Sequence, residues 1–66
     1  MIYKLYNLGE DPINYEGVNV PSKHARFVST SKDLTKLKDE NLAVKQYTDE
    51  LPEYDIYGDK ITIEEI

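Results

Sequence analysis

The run Ile2-Tyr3-Lys4-Leu5-Tyr6-Asn7-Leu8 gathers aromatic and bulky apolar residues into a segment that reads as a β-strand. Side chains alternate across a strand, so Ile2, Tyr6 and Leu8 fall on one face and Tyr3 and Leu5 on the other. Apolar positions on both faces predict a central strand covered on both sides. Gly9-Glu10-Asp11-Pro12 ends it. From 13 to 22 the pattern is mixed. Tyr15, Val18 and Val20 suit a short strand, but Pro12, Gly17, Asn19 and Pro21 interrupt the run and favour a long loop or an edge strand. His24-Ala25-Arg26-Phe27-Val28-Ser29-Thr30 is a clearer strand, with Phe27 as core anchor and Arg26 and Val28 pointing the other way.

Thr30-Ser31-Lys32-Asp33 places a hydroxyl three residues before an acid, which is a helix-start signature. Leu34 and Leu37 follow at helical spacing, Leu42 and Val44 do not extend the stripe, and Asn41 suits a left-handed cap. The spacing therefore predicts one short helix over 32–40. Leu42-Ala43-Val44-Lys45-Gln46-Tyr47 then reads as a strand, with a single longer helix through Tyr47 as the alternative.

The strongest local pattern lies at the C-terminal end. Tyr54-Asp55-Ile56-Tyr57 and Lys60-Ile61-Thr62-Ile63-Glu64 flank Gly58-Asp59, a pair suited to a two-residue hairpin turn. That turn sets Tyr57 opposite Lys60, Ile56 opposite Ile61, Asp55 opposite Thr62 and Tyr54 opposite Ile63. One face then carries Tyr54, Ile56, Ile61 and Ile63. The other carries Glu53, Asp55, Tyr57, Lys60, Thr62 and Glu64. The elements predict a single α+β domain over 1–66: a small, mostly antiparallel sheet, one short helix and a C-terminal β-hairpin (54–57/60–64). The expected core is Tyr3, Leu5, Phe27, Leu34, Leu37, Leu42, Val44, Ile56, Ile61 and Ile63.

Composition narrows the function classes. A chain of 66 residues lies near the lower size limit for a core without staples, and it has no cysteine. Disulfides and thiolate metal sites are thereby excluded, and a cytoplasmic setting is expected. Met1-Ile2-Tyr3-Lys4 lacks the basic-then-apolar layout of a signal peptide, and no apolar run reaches membrane-spanning length.

Charge is partitioned sharply. Residues 1–48 sum to +1 and residues 49–66 to −6, so the net −5 resides at one end. Such a field repels nucleic acid and speeds encounter with basic surfaces.

Motifs for chemistry are sparse. His24 is the single histidine, with Lys23 and Arg26 nearby, and no nucleophile is tied to it by spacing. Gly9, Gly17 and Gly58 are too far apart for a phosphate loop, and the acids between 49 and 59 lack the EF-hand pattern. No catalytic, cofactor or metal residue is assigned. Six tyrosines exceed what so small a core needs, and tyrosine favours interfaces. Tyr3 and Tyr54 are expected in or near the core, and Tyr6, Tyr15, Tyr47 and Tyr57 outside it.

The expectation is a non-enzymatic acidic interaction module. Its partner-binding residues would be Glu50, Glu53, Asp55, Tyr57, Asp59, Glu64 and Glu65. The expected partner is a larger protein with a basic surface, such as a nucleic-acid-binding protein, with no membrane and no direct nucleic acid. In size and charge alone the chain resembles the small acidic inhibitors of phages and mobile elements, which act by occlusion or DNA mimicry. Two other readings stand beside it. One is a structural or regulatory subunit, including a homodimer. The other is a nucleic-acid binder using Lys23, Arg26, Lys32, Lys36 and Lys38.

Overall fold

A computed structural model describes residues 1–36, 40–48 and 50–66. It contains β1 (Ile2–Asn7), β2 (Ile13–Tyr15), β3 (Val18–Val20), β4 (Ala25–Ser29), β5 (Leu42–Tyr47) and β6 (Ile63–Glu65). Four strands form one sheet in the order β5-β1-β4-β6, and β2-β3 forms a separate hairpin. β1 is central and antiparallel to both neighbours, while β6 lies parallel to β4 at the edge.

The two faces of β1 have different fates. Tyr3, Leu5 and Asn7 are buried, and Ile2, Lys4 and Tyr6 are half-buried. The first face meets the hairpin. Tyr3, Leu5, Val28, Leu34 and Leu42 form one cluster with Val18 and Val20, and Ile13, Tyr15, Val44 and Ile66 pack against it. Hairpin formation explains why 13–20 is ordered. Glu16 and Gly17 both take positive φ, 47° and 85°, as a two-residue I′-type turn requires. Ile13 then faces Val20 and Tyr15 faces Val18, giving the hairpin one apolar side.

Asn7 locks this arrangement. It is fully buried, and its Nδ2 donates to Asp11 O (2.7 Å) and Val20 O (3.0 Å). Its Oδ1 accepts from Gly9 N (2.8 Å), its backbone N donates to His24 O and its carbonyl accepts from Lys23 N, both at 3.0 Å. Every hydrogen-bonding group of one residue is thus used, tying the end of β1 to the loop before β2, the end of β3 and the start of β4. The approach is tight. A Cβ on Gly9 would lie 3.2 Å from Asn41 Cγ and 3.3 Å from Asn7 Oδ1.

The helix expected over 32–40 does not form. Lys32, Thr35, Lys36 and Glu40 are in turns and bends and Asp33 and Leu34 are irregular, with no helix among the described residues, and Leu37, Lys38 and Asp39 lie outside them. The fold is therefore all-β, not α+β. The polar signals have been spent on local turns. Thr30 Oγ1 accepts from Lys32 N at 3.1 Å, and Asp33 Oδ1 accepts from Thr35 N at 3.0 Å. Such two-residue bonds compete with helix initiation by using the same side chains that would cap it.

The C-terminal hairpin is also corrected. Tyr54 pairs with Lys60, not Ile63, in an isolated antiparallel bridge, and Ile61 N donates to Glu53 O at 3.0 Å. Residues 55–59 form a five-residue loop in place of a Gly58-Asp59 turn. Ile63 pairs instead with Phe27, in parallel. The expected apolar face is lost: Ile56 is 88% exposed, Tyr54 55% and Ile63 43%, and only Ile61 is half-buried. Among the described residues no helix is long and apolar enough to cross a membrane.

Two outcomes are expected. Asn7→Ala removes three side-chain hydrogen bonds and leaves buried carbonyls unpaired, so urea unfolding should show a loss of about 2–4 kcal/mol; a cost below about 0.5 kcal/mol would contradict the clamp. The Thr35 hydroxyl, then the Thr35 amide, holds the Asp33 carboxyl below its usual 3.8. With the folded value depressed, the group favours the fold above the unfolded value and loses that contribution as pH falls through the folded value. Thr35→Val should raise the Asp33 midpoint in an NMR titration, and an unchanged midpoint would remove the hydroxyl as its cause.

Candidate functional site

The second face of the sheet carries the partners of Ile2, Lys4 and Tyr6. In register, Lys4 lies between Phe27 of β4 and Lys45 of β5, Tyr6 between Ala25 and Ala43, and Ile2 between Ser29 and Tyr47. Phe27 and Tyr47 meet edge to face, with ring centroids 5.6 Å apart and planes at 80°. Lys4 and Lys45 stand directly opposite each other, a like-charge pair that destabilises a ladder unless an anion is near.

The chain from Pro52 onward crosses back over this face and encloses a groove of about 750 Å³. One wall is sheet, with Lys4, Tyr6, Phe27 and Tyr47. The other is the C-terminal segment, with Tyr54, Ile56, Tyr57, Asp59 and Glu64 among its residues.

The loop 55–59 is held from within. Asp55 Oδ1 accepts from Tyr57 N (2.8 Å) and Asp59 N (2.9 Å). Asp55 N donates to Asp59 O (2.8 Å), Gly58 N donates to Asp55 O (3.1 Å), and Gly58 supplies the left-handed residue at φ 85°. One aspartate thus organises the loop, as short polar side chains do when they bond to amides ahead of them. The loop is pinned to the body by Tyr57. Its hydroxyl donates to Lys23 O (3.0 Å), and its ring stacks on His24 at 4.5 Å with planes at 33°. His24 Nδ1 lies 2.8 Å from the Ser22 carbonyl, which can only accept, so Nδ1 carries the proton. His24 thereby serves as a platform.

Of the seven residues expected to bind a partner, Asp55, Tyr57, Asp59 and Glu64 line the groove together. Glu50, Glu53 and Glu65 are exposed but lie outside its lining. Asp55 is half-buried and its carboxylate is committed to the loop amides, so it acts as a scaffold. The basic patch expected for nucleic acid is divided. Lys32 is held by both carboxylate oxygens of Glu16, at 3.0 and 2.9 Å, which raises its pKa. Lys23 lies 3.6 Å from Glu10 and donates to Leu8 O. Arg26 lines the groove, Lys36 is exposed elsewhere in chain order, and Lys38 lies outside the described residues.

Sequence reasoning missed the sheet wall and the exposure of Ile56. The sheet wall had a signal in the apolar positions on both sides of β1. Ile56 had none, because its exposure follows from the shifted register. Among the described residues, no group of three or more His, Cys, Asp or Glu side chains converges as a metal site would need.

If Asp55 fixes the loop, Asp55→Ala should speed hydrogen exchange at the Tyr57 and Asp59 amides at least about tenfold while core amides such as Leu5 change little. Equal effects at both places would mean that Asp55 supports the whole fold instead. No protein-family model matches this chain, and no curated protein or solved structure matches it.

Proposed function

We propose that this protein is a non-enzymatic interaction module acting in the cytosol, whose C-terminal loop docks into an apolar pocket rimmed by basic side chains on a larger protein. The observation that carries this reading is Ile56, 88% exposed on a loop whose backbone is fixed by Asp55. An isoleucine so placed gives up hydration entropy in the free protein and recovers it when a partner covers it. Tyr54 and Tyr57, each about half-exposed, flank it with rigid area.

The charge around the loop gives the partner its sign. Glu50, Glu53, Asp59, Glu64 and Glu65 are exposed on the same segment, which favours a basic rim of the kind that nucleic-acid-binding proteins carry. Inhibition by occluding such a surface is the biological reading. The cysteine-free composition supports a reducing compartment.

The test is affinity capture from the native cell, with wild-type and variant baits in parallel. Burying one isoleucine is worth about 1.5–3 kcal/mol, so Ile56→Asp should weaken a captured complex by about ten- to a hundredfold without loss of fold. Glu53→Lys with Asp59→Lys should slow association, most of all at low salt. Capture insensitive to Ile56→Asp would overturn this reading. Retention on single-stranded DNA, abolished by Lys36→Glu, would replace it with nucleic-acid binding.

A further inference from the structure

β5 is the outermost strand on one side of the sheet, so one of its two edges has no strand beside it. The phase of its ladder says which groups lie there. Leu8 N donates to Asn41 O at 2.8 Å, one step beyond the Asn7–Leu42 pair. Hydrogen-bonded pairs alternate along an antiparallel ladder, so Tyr6–Ala43, Lys4–Lys45 and Ile2–Tyr47 are the bonded ones. The N–H and C=O groups of Leu42, Val44 and Gln46 therefore point away from β1, and they have no backbone partner among the described residues. Three donors and three acceptors form a template for one more strand.

The side chains along this edge say what that strand carries. Leu42 is buried and Val44 half-buried on the face that holds the core, whereas Lys45 is exposed on the other face. Lys45 stands opposite Lys4, and among the described residues neither forms an ion pair. Glu40 and Glu50, both exposed, lie in sequence just beyond the two ends of β5, so the match is one carboxylate at the centre and not an acidic run.

From this we infer that the outer edge of β5 receives an extended segment of a partner protein as a fifth, antiparallel strand, with apolar residues beside Leu42 and Val44 and one carboxylate beside Lys45. The main chain supplies affinity and Lys45 supplies selection. A lysine on a bare edge opposes strands that bring a cation to that position, and a carboxylate there turns the same lysine into a favourable cross-strand contact. A second copy is a poor match. Its own β5, laid antiparallel with Val44 opposite Val44, brings Ala43 to Lys45 and a second Lys45 two residues away, with no carboxylate. The edge is separate from the 55–59 loop, and the inference does not depend on what that loop docks against.

The probe is a capped synthetic peptide of serine, threonine, threonine, glutamate, valine, threonine and valine, in that order, titrated into the full chain. Laid antiparallel with its glutamate opposite Lys45, it sets its valines opposite Val44 and Leu42. In the free protein the amides of Leu42, Val44 and Gln46 should exchange hydrogen faster than those of Ala43, Lys45 and Tyr47. Saturating peptide should slow the first three at least about tenfold. Methylating the backbone nitrogen of the valine that follows the glutamate, which faces β5, should abolish binding. Methylating the glutamate nitrogen, which faces away, should leave it. Lys45→Glu should weaken binding at least about threefold, and a peptide with lysine in place of glutamate should restore it to that variant. Ile56→Asp should change nothing, which separates this test from that of the docking loop. No binding at millimolar peptide, or binding indifferent to which nitrogen is methylated, overturns the inference. So does protection of Leu42, Val44 and Gln46 that rises with protein concentration in the absence of peptide, which would give the edge to a second copy.

Discussion

The fold depends on one buried amide. Asn7 sits at the end of the central strand, where the chain leaves β1, later arrives from β3, and turns into β4. Three backbone segments meet there away from water, and their polar groups need partners that regular strand pairing does not supply. The Asn7 side chain provides two donors and one acceptor in the right places. Without it the β2-β3 hairpin would keep its short ladder, its apolar side and the exposed Lys32–Glu16 pair, and an isolated two-stranded hairpin is marginal in water.

Once the hairpin is fixed on the first face of the sheet, the second face is left to the C-terminal segment. Among the described residues that segment is attached by a three-residue parallel ladder to β4, by Ile66, which packs against the core and donates from its N to Ser29 O, and by the Tyr57 contacts to Lys23 and His24, while the Tyr54–Lys60 bridge closes its loop. It belongs to the less protected part of the molecule, where binding surfaces are commonly found. Among the described residues none of its acids forms an ion pair with Lys4 or Lys45. A small domain that buries Val20 and Val28 completely leaves Tyr54, Ile56, Tyr57 and Ile63 exposed on this one segment, with Met1 and Leu8 exposed outside it. The proposed role in association rests on these four residues.

The strands β1, β4 and β5 were legible because local composition alone favours them, and β5 corresponds to the stretch Leu42-Ala43-Val44-Lys45-Gln46-Tyr47. Other features were less legible because one residue type serves two local outcomes. Thr30 and Asp33 have the spacing of a helix cap, but each bonds two residues ahead and makes a turn. Gly58 supplies a positive φ in either reading of the hairpin, so it does not decide between a two-residue turn and a longer loop. Asp55 decides, by gathering two amides, and a carboxylate's choice of amides is a tertiary fact. The β2-β3 hairpin was obscured by Pro12 and Pro21, which bracket it, and by Glu16, an uncommon residue for a left-handed turn position. Asn7 looked like an ordinary strand end. For the candidate site, the acidic and tyrosine residues of one wall were in view, while the sheet wall needed the register of β1 against β4 and β5 to assemble it.

The register of the C-terminal segment is the point on which the exposed loop, the groove and the proposed docking all turn. Backbone NOE spectroscopy on the isotopically labelled chain measures it directly. Cross-strand contacts between Tyr54 and Lys60, together with parallel contacts between Phe27 and Ile63, are the predicted result. Contacts between Ile56 and Ile61 and between Tyr54 and Ile63 would contradict it. They would place the isoleucines on a common face and leave no exposed loop for a partner to cover.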